Sequence, residues 1–126
     1  MSDKKKILII DDNKFARMAI SSSLDNEVYT FIEAKDGIEG IEKLQQNPDV
    51  KLVIADYYMP NMDGLTMCEE IRKNKEYDKI PIFMVTTESS KSIQERGKRA
   101  GVMAWMCKPV DKQKLLHILN ALNILC

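Results

Sequence analysis

The chain has 126 residues, 44% hydrophobic and 30% charged, which favours one folded domain over residues 1–126 and argues against disorder. Nineteen basic residues balance nineteen acidic ones, so charge gives no reason to expect nucleic acid or an anionic membrane as a partner. Three cysteines without a CxxC pair and a single histidine lack the ligand spacing of a structural zinc site. No apolar run approaches the ~20 residues of a membrane helix. We therefore expect a cytoplasmic monomer with free thiols.

Five short apolar segments alternate with five longer segments of helical period. The predicted strands cover residues 6–10, 28–32, 52–55, 82–86 and 102–106, and the predicted helices cover 14–24, 38–46, 65–74, 91–100 and 112–123. The first, third and fourth strands are almost continuously hydrophobic, which is typical of parallel strands covered on both faces. Strict alternation predicts a doubly wound α/β fold, whose functional crevice lies at the carboxyl ends of the strands.

Apolar residues at helical spacing indicate which faces of these helices reach the core. They are Phe15, Met18, Ala19 and Leu24 in the first helix, Ile38, Ile41 and Leu44 in the second, Leu65, Cys68 and Ile71 in the third, and Leu115, Leu116, Leu119 and Leu122 in the last. Gly37 and Gly40 indicate a turn at the start of the second helix. His117 falls on a side of the last helix that is expected to be exposed.

Polar side chains stand at or just beyond the ends of four predicted strands. They are Asp11 and Asp12 after the first strand, Asp56 after the third, Thr86 at the end of the fourth and Lys108 after the fifth. A parallel sheet would bring them to one edge. Two unit charges ~4 Å apart cost about 4 kcal/mol at an effective dielectric of ~20, so three carboxylates need positive charge nearby. Lys108 supplies one unit, and a divalent cation that prefers oxygen ligands, Mg²⁺, would supply two more.

These groups together suit phosphoryl transfer. Asp56 would be the nucleophile that becomes an aspartyl phosphate, Lys108 would hold one phosphoryl oxygen, and the Thr86 hydroxyl would donate to another. No GxxxxGK[ST] loop is present, so a nucleotide is not the expected phosphodonor. Asp63 differs from the other aspartates because it precedes Gly64 and a helical run, and it is predicted to cap that helix.

A family resemblance follows from four segments that together span almost the whole chain. ILIIDD (7–12), VIADYYMPNMDG (53–64), IFMVTT (82–87) and WMCKPV (105–110) resemble the signature segments of response-regulator receiver domains. The resemblance implies a flavodoxin-like fold with a five-stranded parallel sheet of order 2-1-3-4-5 and five flanking helices. It also implies that the acceptor aspartate takes its phosphoryl group from a phosphohistidine on a sensor histidine kinase.

Carried over by position, the resemblance makes Asp56 the phosphoacceptor. It implies that Mg²⁺ is bound by Asp12, Asp56 and the backbone carbonyl of Tyr58. Asp11 matches the remaining acidic partner of the ion, which usually acts through water.

The resemblance also assigns the groups that respond to the phosphate. Thr86 matches the switch hydroxyl, and Lys108 matches the phosphate-binding lysine. Lys108–Pro109 resembles a peptide bond that is cis in relatives, a form that proline makes accessible. Trp105 stands where relatives usually have Tyr or Phe, the aromatic side chain whose position reports phosphorylation.

Three further positions depart from the common pattern or vary within it. Thr87 stands where a small residue is common, and its bulk is expected to crowd the approach to the phosphate. Tyr58 and Glu88 match two variable positions that tune how long the phosphate survives. We expect the bulky Tyr58 to obstruct the attacking water and to slow the loss of phosphate.

The resemblance implies a phosphorylation switch rather than a metabolic enzyme. The chain length and the segment DDNKFARMAI (11–20) are similar to the CheY-type chemotaxis regulators. We expect output by protein contact through the fourth helix, fifth strand and fifth helix, with the flagellar switch as the leading target and a phosphatase as a further partner. Lys91, Arg96, Lys98 and Arg99 are predicted to form a solvated face that is also a candidate part of this docking surface. A phosphorelay intermediate and an isolated receiver of a longer transcriptional regulator remain the alternatives.

A hydrolase of the haloacid dehalogenase type is an alternative from another class, because it also forms an aspartyl phosphate on Mg²⁺. Its DxDx[TV] motif requires an aspartate two residues after the nucleophile. The present chain has Tyr58 there, and its length leaves no room for the cap of those enzymes. This alternative is therefore disfavoured.

Overall fold

A computed structural model describes residues 4–122, in which five strands alternate with five helices. The strands are β1 (Lys5–Ile10), β2 (Tyr29–Ala34), β3 (Leu52–Ala55), β4 (Ile82–Thr86) and β5 (Val102–Cys107). The helices are α1 (Lys14–Ser21), α2 (Gly37–Gln46), α3 (Gly64–Arg72), α4 (Lys91–Arg99) and α5 (Lys112–Ala121), and a short 3-10 turn follows α3 at Lys75–Tyr77. Every predicted element is present with slightly different bounds, and residue 123 of the predicted last helix lies outside the described residues. No helix in this span is long and apolar enough to cross a bilayer.

The strands form one parallel sheet in the order β2-β1-β3-β4-β5, which confirms the predicted doubly wound architecture. β3 and β4 are buried at every position because they are interior strands covered on both faces. The chain crosses from β1 to β2 on one side and places β3 on the other. The strand order therefore reverses between β1 and β3, and this is the place where doubly wound sheets hold their ligands.

The hydrophobic core has two layers, one on each face of the sheet. One layer packs α2, α3 and α4 against side chains such as Val53 and Met84. The other packs α1 and α5 against the opposite face, where Ile54 and Phe83 point. Adjacent strand residues thus serve different layers, as the alternation of side chains along a strand requires. The sheet is consequently fixed from both sides, and its carboxyl edge is held in one register.

The predicted core face of the first helix is mostly wrong, since Phe15, Met18 and Ala19 are exposed and only Leu24 is buried as predicted. Phe15 is 76% exposed and Met18 is 49% exposed, while Ile20 and Leu24 are the buried apolar residues in this segment. The reason is a polar anchor: the Arg17 guanidinium donates to the Asp11 carbonyl at 2.5 Å and to the Glu33 carboxylate at 2.8 Å. These bonds turn the Arg17 side of the helix toward the sheet, so Phe15 and Met18 face outward.

The predicted stripe of α2 is also partly wrong. Leu44 is fully buried, but Ile38 is 46% exposed. Gly40 lies inside the helix rather than in a turn, and a Cβ there would come within 2.7 Å of the Ile10 Cδ1 atom and 2.9 Å of the Met67 sulfur. The absence of a side chain at Gly40 therefore lets α2 approach the sheet closely.

The remaining helix predictions hold. Leu65, Cys68 and Ile71 of α3 are buried, and His117 of α5 is exposed. Asp63 caps α3 by accepting from the Thr66 amide at 2.8 Å.

The described cysteines are free thiols, as predicted. Burial raises the pKa of Cys68 to about 12, so this thiol stays protonated and packs as an apolar side chain. Cys107 is exposed at the end of β5. Cys126 lies outside the described residues.

Candidate functional site

Three carboxylates meet at the carboxyl edge of the sheet, where the strand order reverses. Asp11, Asp12 and Asp56 each offer an oxygen within 4.8 Å of the other two. The register of β1 and β3 pairs Ile10 with Ala55, and the Asp56 amide donates to the Ile10 carbonyl at 3.0 Å. Strand pairing therefore brings these aspartates to one level, as the sequence predicted.

The three carboxylates differ in exposure. Asp11 is 2% exposed and Asp56 is 6% exposed, whereas Asp12 is open to solvent. Burial raises the pKa of Asp11 and outweighs the opposing hydrogen bonds from Lys108 and the Asn13 amide. Further positive charge near Asp11 would therefore favour its ionised form. An all-oxygen cluster of this kind suits Mg²⁺, which favours carboxylates, carbonyls and water as ligands.

Lys108 lies between the two buried carboxylates. Its Nζ atom donates to Asp11 at 2.8 Å and to Asp56 at 2.7 Å. Burial lowers the pKa of Lys108, but the two hydrogen bonds outweigh this effect and leave the pKa raised, so the group stays charged. The Lys108 amide donates to the Thr86 carbonyl at 3.0 Å, which places the side chain beyond the β4–β5 pair. The Lys108–Pro109 peptide bond is cis, as the resemblance implied.

Arg17 is a functional neighbour that the sequence analysis did not predict. Its bond to the Asp11 carbonyl fixes the chain between the two adjacent aspartates and the start of α1. Its second partner, Glu33, is 16 residues away at the end of β2, and an ion pair at that separation leaves no local sequence signal.

Thr86 and Trp105 are connected through one residue, Glu88. Thr86 is fully buried, and its hydroxyl accepts from the Glu88 amide at 3.3 Å. The Trp105 indole Nε1 donates to the Glu88 carbonyl at 2.9 Å. The indole is half-buried against the α2–α3–α4 side of the sheet. The predicted hydroxyl and aromatic groups are thus linked by the backbone of a single residue.

Tyr58, in the loop after β3, also contacts Glu88. Its side chain is 53% exposed and stands edge-on to Tyr57, with ring centroids 4.9 Å apart. The Tyr58 hydroxyl donates to the Glu88 carboxylate. This bond raises the pKa of Tyr58 and lowers that of Glu88. The two positions that are expected to tune phosphate lifetime are therefore in direct contact.

The Tyr58 backbone carbonyl was predicted to be a metal ligand, and that role stays a prediction. The backbone contact observed at this position is from the Tyr58 amide, which donates to the Asp56 carboxylate at 3.3 Å. Thr87 is exposed and lines a mostly apolar groove with Phe15, Lys108 and Pro109.

Gly97 provides the space that the Trp105 indole occupies beside α4. A Cβ on Gly97 would lie 2.9 Å from the indole Cζ3 atom and 3.4 Å from Leu65 Cδ2. We expect Gly97→Ala to push the rigid ring outward and to shift its fluorescence emission to longer wavelength. Overpacking costs about 1–3 kcal/mol, but Ala gains up to about 1 kcal/mol over Gly in a helix, so stability alone is a poor readout.

The measurement is the emission spectrum of this variant beside Ser92→Ala, an exposed position of the same helix. Because Trp105 is the only tryptophan, its signal is unambiguous. Identical spectra for the two variants would contradict the packing described.

Comparison with known proteins agrees with the fold and identifies a family. Residues 7–120 match the response regulator receiver domain family. The chain is 37% identical to the chemotaxis protein CheY1 of Helicobacter pylori over 111 residues, covering 87% of the chain and 90% of that protein. It is also 37% identical to a chemotaxis protein CheY homolog of Campylobacter jejuni over 120 residues, covering 91% of the chain and 92% of the homolog.

A solved structure shows the same architecture. The chemotaxis response regulator CheY4 of Vibrio cholerae superposes with a TM-score of 0.83 at 32% identity, covering 94% of the chain and 98% of CheY4. Fold and site together define a doubly wound α/β protein with an acidic, lysine-bridged centre at the strand-order reversal. The chain belongs to the response regulator receiver domains and is of the CheY-like kind.

Proposed function

We propose that the protein is a phosphorylation switch of a two-component system that accepts a phosphoryl group on Asp56 from a sensor histidine kinase. The observation that carries the proposal is the Lys108 ammonium group, which is hydrogen-bonded to both Asp11 and Asp56 within the three-carboxylate cluster. A lysine held against a nearly buried carboxylate can bind an oxygen of a group transferred to that carboxylate. The remaining carboxylate, Asp12, stays exposed and available to a cation.

Asp12, Asp56 and the Tyr58 carbonyl would hold Mg²⁺, with Asp11 acting through water. When bound, the ion would supply positive charge to the oxygens of the transferring phosphoryl group. Asp56 is the nucleophile, and Lys108 orients one phosphoryl oxygen as a point charge. The protein acts as a phosphoacceptor that also loses its phosphate, not as a metabolic enzyme, and we place it in the cytoplasm with its kinase.

The switch runs through Thr86, Glu88 and Trp105. A Thr86 hydroxyl that turns toward a phosphoryl oxygen gives up its contact with the Glu88 amide. The Glu88 carbonyl holds the Trp105 indole, so the change reaches the groove between α4 and β5. Two alternative packings of this kind are how a local charge change produces a global response.

The output surface we propose is formed by α4, β5 and α5. Met103 is 58% exposed there, and Lys91, Lys98 and Arg99 are exposed on α4. Arg96 differs from the other basic residues, because both of its ion-pairing nitrogens contact Glu69 of α3 at 3.0–3.1 Å. The names of the two similar chemotaxis proteins support chemotaxis as the pathway. The flagellar switch is the target that we propose within that pathway.

The test is labelling with acetyl phosphate whose phosphoryl group carries the label. With Mg²⁺ we expect a label that hydroxylamine removes, as an acyl phosphate requires, and with excess EDTA we expect none. Mg²⁺ should also raise the melting temperature, because a ligand at 100 times its dissociation constant stabilises the folded state by about 2.7 kcal/mol. Equal labelling with EDTA would contradict the metal requirement, and no labelling under either condition would contradict the proposed function.

A further inference from the structure

The loop that connects β3 to α3 contains an unusual backbone conformation at its tip. Asn61 has a φ of 67°, and it is the non-glycine residue with positive φ among residues 4–122. Asn is one of the few residues that adopt this conformation readily, because its short polar side chain can bond locally. Here the Asn61 side chain bonds instead to a residue outside its own loop.

The partner of Asn61 is the N-cap of α2. The Asn61 Nδ2 atom donates to one oxygen of Asp36 at 2.8 Å, and the other oxygen of Asp36 accepts from the Glu39 amide at 2.8 Å. Asp36 is 6% exposed, whereas Asn61 is exposed, so both contacts are only partly shielded from water. A backbone bond adds to them, since the Gly37 amide donates to the Met62 carbonyl at 3.2 Å. The loop tip is therefore tied to α2 by one side-chain and one backbone bond.

The base of the same loop is closed at the site. The Gly64 amide donates to the Tyr57 carbonyl at 3.0 Å, and the Tyr58 amide contacts the Asp56 carboxylate. The segment between base and tip contains the Tyr58 carbonyl. Because both ends of this segment are held, its backbone is restrained at the tip as well as at the site.

We propose that Asp36 and Asn61 are positioning residues for the metal site: the Asp36–Asn61 bond, here called the loop brace, orients the Tyr58 carbonyl toward the three carboxylates. This inference rests on the proposed function, because it assumes that the carboxylate cluster binds Mg²⁺. The physical basis is preorganisation, since a loop held in its binding conformation loses less freedom when the ligand binds. Neither Asp36 nor Asn61 belongs to the carboxylate cluster that would hold the ion.

The expected effect follows from one lost hydrogen bond. Asn61→Gly keeps the positive φ without strain and removes the whole side chain, including the amide that donates to Asp36. We expect its dissociation constant for Mg²⁺ to rise roughly 2- to 10-fold, the range for one hydrogen bond. The exchange Asp36→Asn with Asn61→Asp restores a donor–acceptor pair, keeps a good N-cap and conserves net charge. We expect this double variant to bind Mg²⁺ within about twofold of the original chain.

The experiment is calorimetric titration of each metal-free protein with Mg²⁺, with the melting temperature of each metal-free protein measured in parallel. Asn74→Gly is the matched control, since the Asn74 side chain also makes a hydrogen bond, accepting from the Glu76 amide, but lies at the opposite end of α3. The brace is supported if Asn61→Gly binds Mg²⁺ more weakly than the original chain while the double variant and Asn74→Gly keep the original affinity.

Two results would contradict the brace but leave the proposed function intact. One is an equal Mg²⁺ dissociation constant for Asn61→Gly and the original chain, and the other is a double variant that binds Mg²⁺ as weakly as Asn61→Gly. A change in melting temperature without a change in affinity also overturns it, because the contact is then only structural. If the original chain does not bind Mg²⁺ at all, the metal part of the proposed function fails and the brace fails with it.

Discussion

Replacing Asp56 by Asn is expected to abolish labelling by acetyl phosphate completely. An amide is not a nucleophile for this reaction, and the substituted side chain occupies nearly the same volume, so the fold should survive. It retains an oxygen that can accept from Lys108, whose Nζ atom lies 2.7 Å from the carboxylate in the original chain. The variant should therefore remain folded, with cooperative thermal unfolding, while the phosphorylation chemistry is lost.

The matched control for this experiment is Asp63→Asn in the same loop. Asp63 caps α3 through bonds to the Thr66 amide and hydroxyl, and Asn is an equally good N-cap. Asp63→Asn should be labelled like the original chain. Continued labelling of Asp56→Asn would show that another carboxylate accepts the phosphoryl group, and Asp11→Asn and Asp12→Asn would then identify it.

Gly64→Ala is expected to have the largest effect on stability. A Cβ on Gly64 would lie 2.1 Å from the Asp56 carbonyl oxygen and 3.2 Å from the Tyr57 Cα atom. Both contacts are to backbone, so no side chain can rotate away to relieve them. Overpacking typically costs about 1–3 kcal/mol and occasionally more, and we expect the upper end of that range, about 3 kcal/mol or more, here. Because the crowded carbonyl belongs to Asp56 itself, labelling should fall as well.

The measurement is the free energy of unfolding in urea. Lys112→Ala is the control, since Lys112 is the first residue of α5 as Gly64 is of α3, and its side chain is exposed. Exposed substitutions of this kind usually change stability by less than about 0.5 kcal/mol. A Gly64→Ala variant as stable as Lys112→Ala would mean that the loop and α3 separate more easily than the structure indicates.

The carboxylate cluster could be predicted from the sequence because its cause is local and repeated. Asp11 follows four consecutive buried residues of β1 and Asp56 follows the fully buried β3, and parallel pairing aligns strand ends without further information. Lys108 follows the edge strand in the same way. The fold and the proximity of these residues can thus be predicted from two features: the alternation of strands and helices, and the polar residues at the carboxyl ends of the strands.

The side-chain contacts between distant segments could not be predicted. Tyr58 and Glu88 are 30 residues apart, and Arg17 and Glu33 are 16 apart, in segments with no shared periodicity. The exposed face of α1 was mispredicted for the same reason: Phe15 and Met18 fit an apolar stripe, but the Arg17 anchor decides which side of the helix faces the sheet. Such choices depend on the final distance between elements, which hydrophobic patterning does not encode.

The position of Lys108 has a consequence for charge balance. Asp11, Asp12 and Asp56 contribute three formal negative charges and Lys108 one positive charge, which leaves a formal −2 in a partly buried space. A divalent ion brings this total to zero, whereas a monovalent ion such as K⁺ leaves the centre anionic. An incoming phosphoryl group is itself anionic. It is therefore repelled by the centre that holds a monovalent ion but not by the neutral centre that holds a divalent ion. The lysine thereby sets the valence of the counterion that the centre requires.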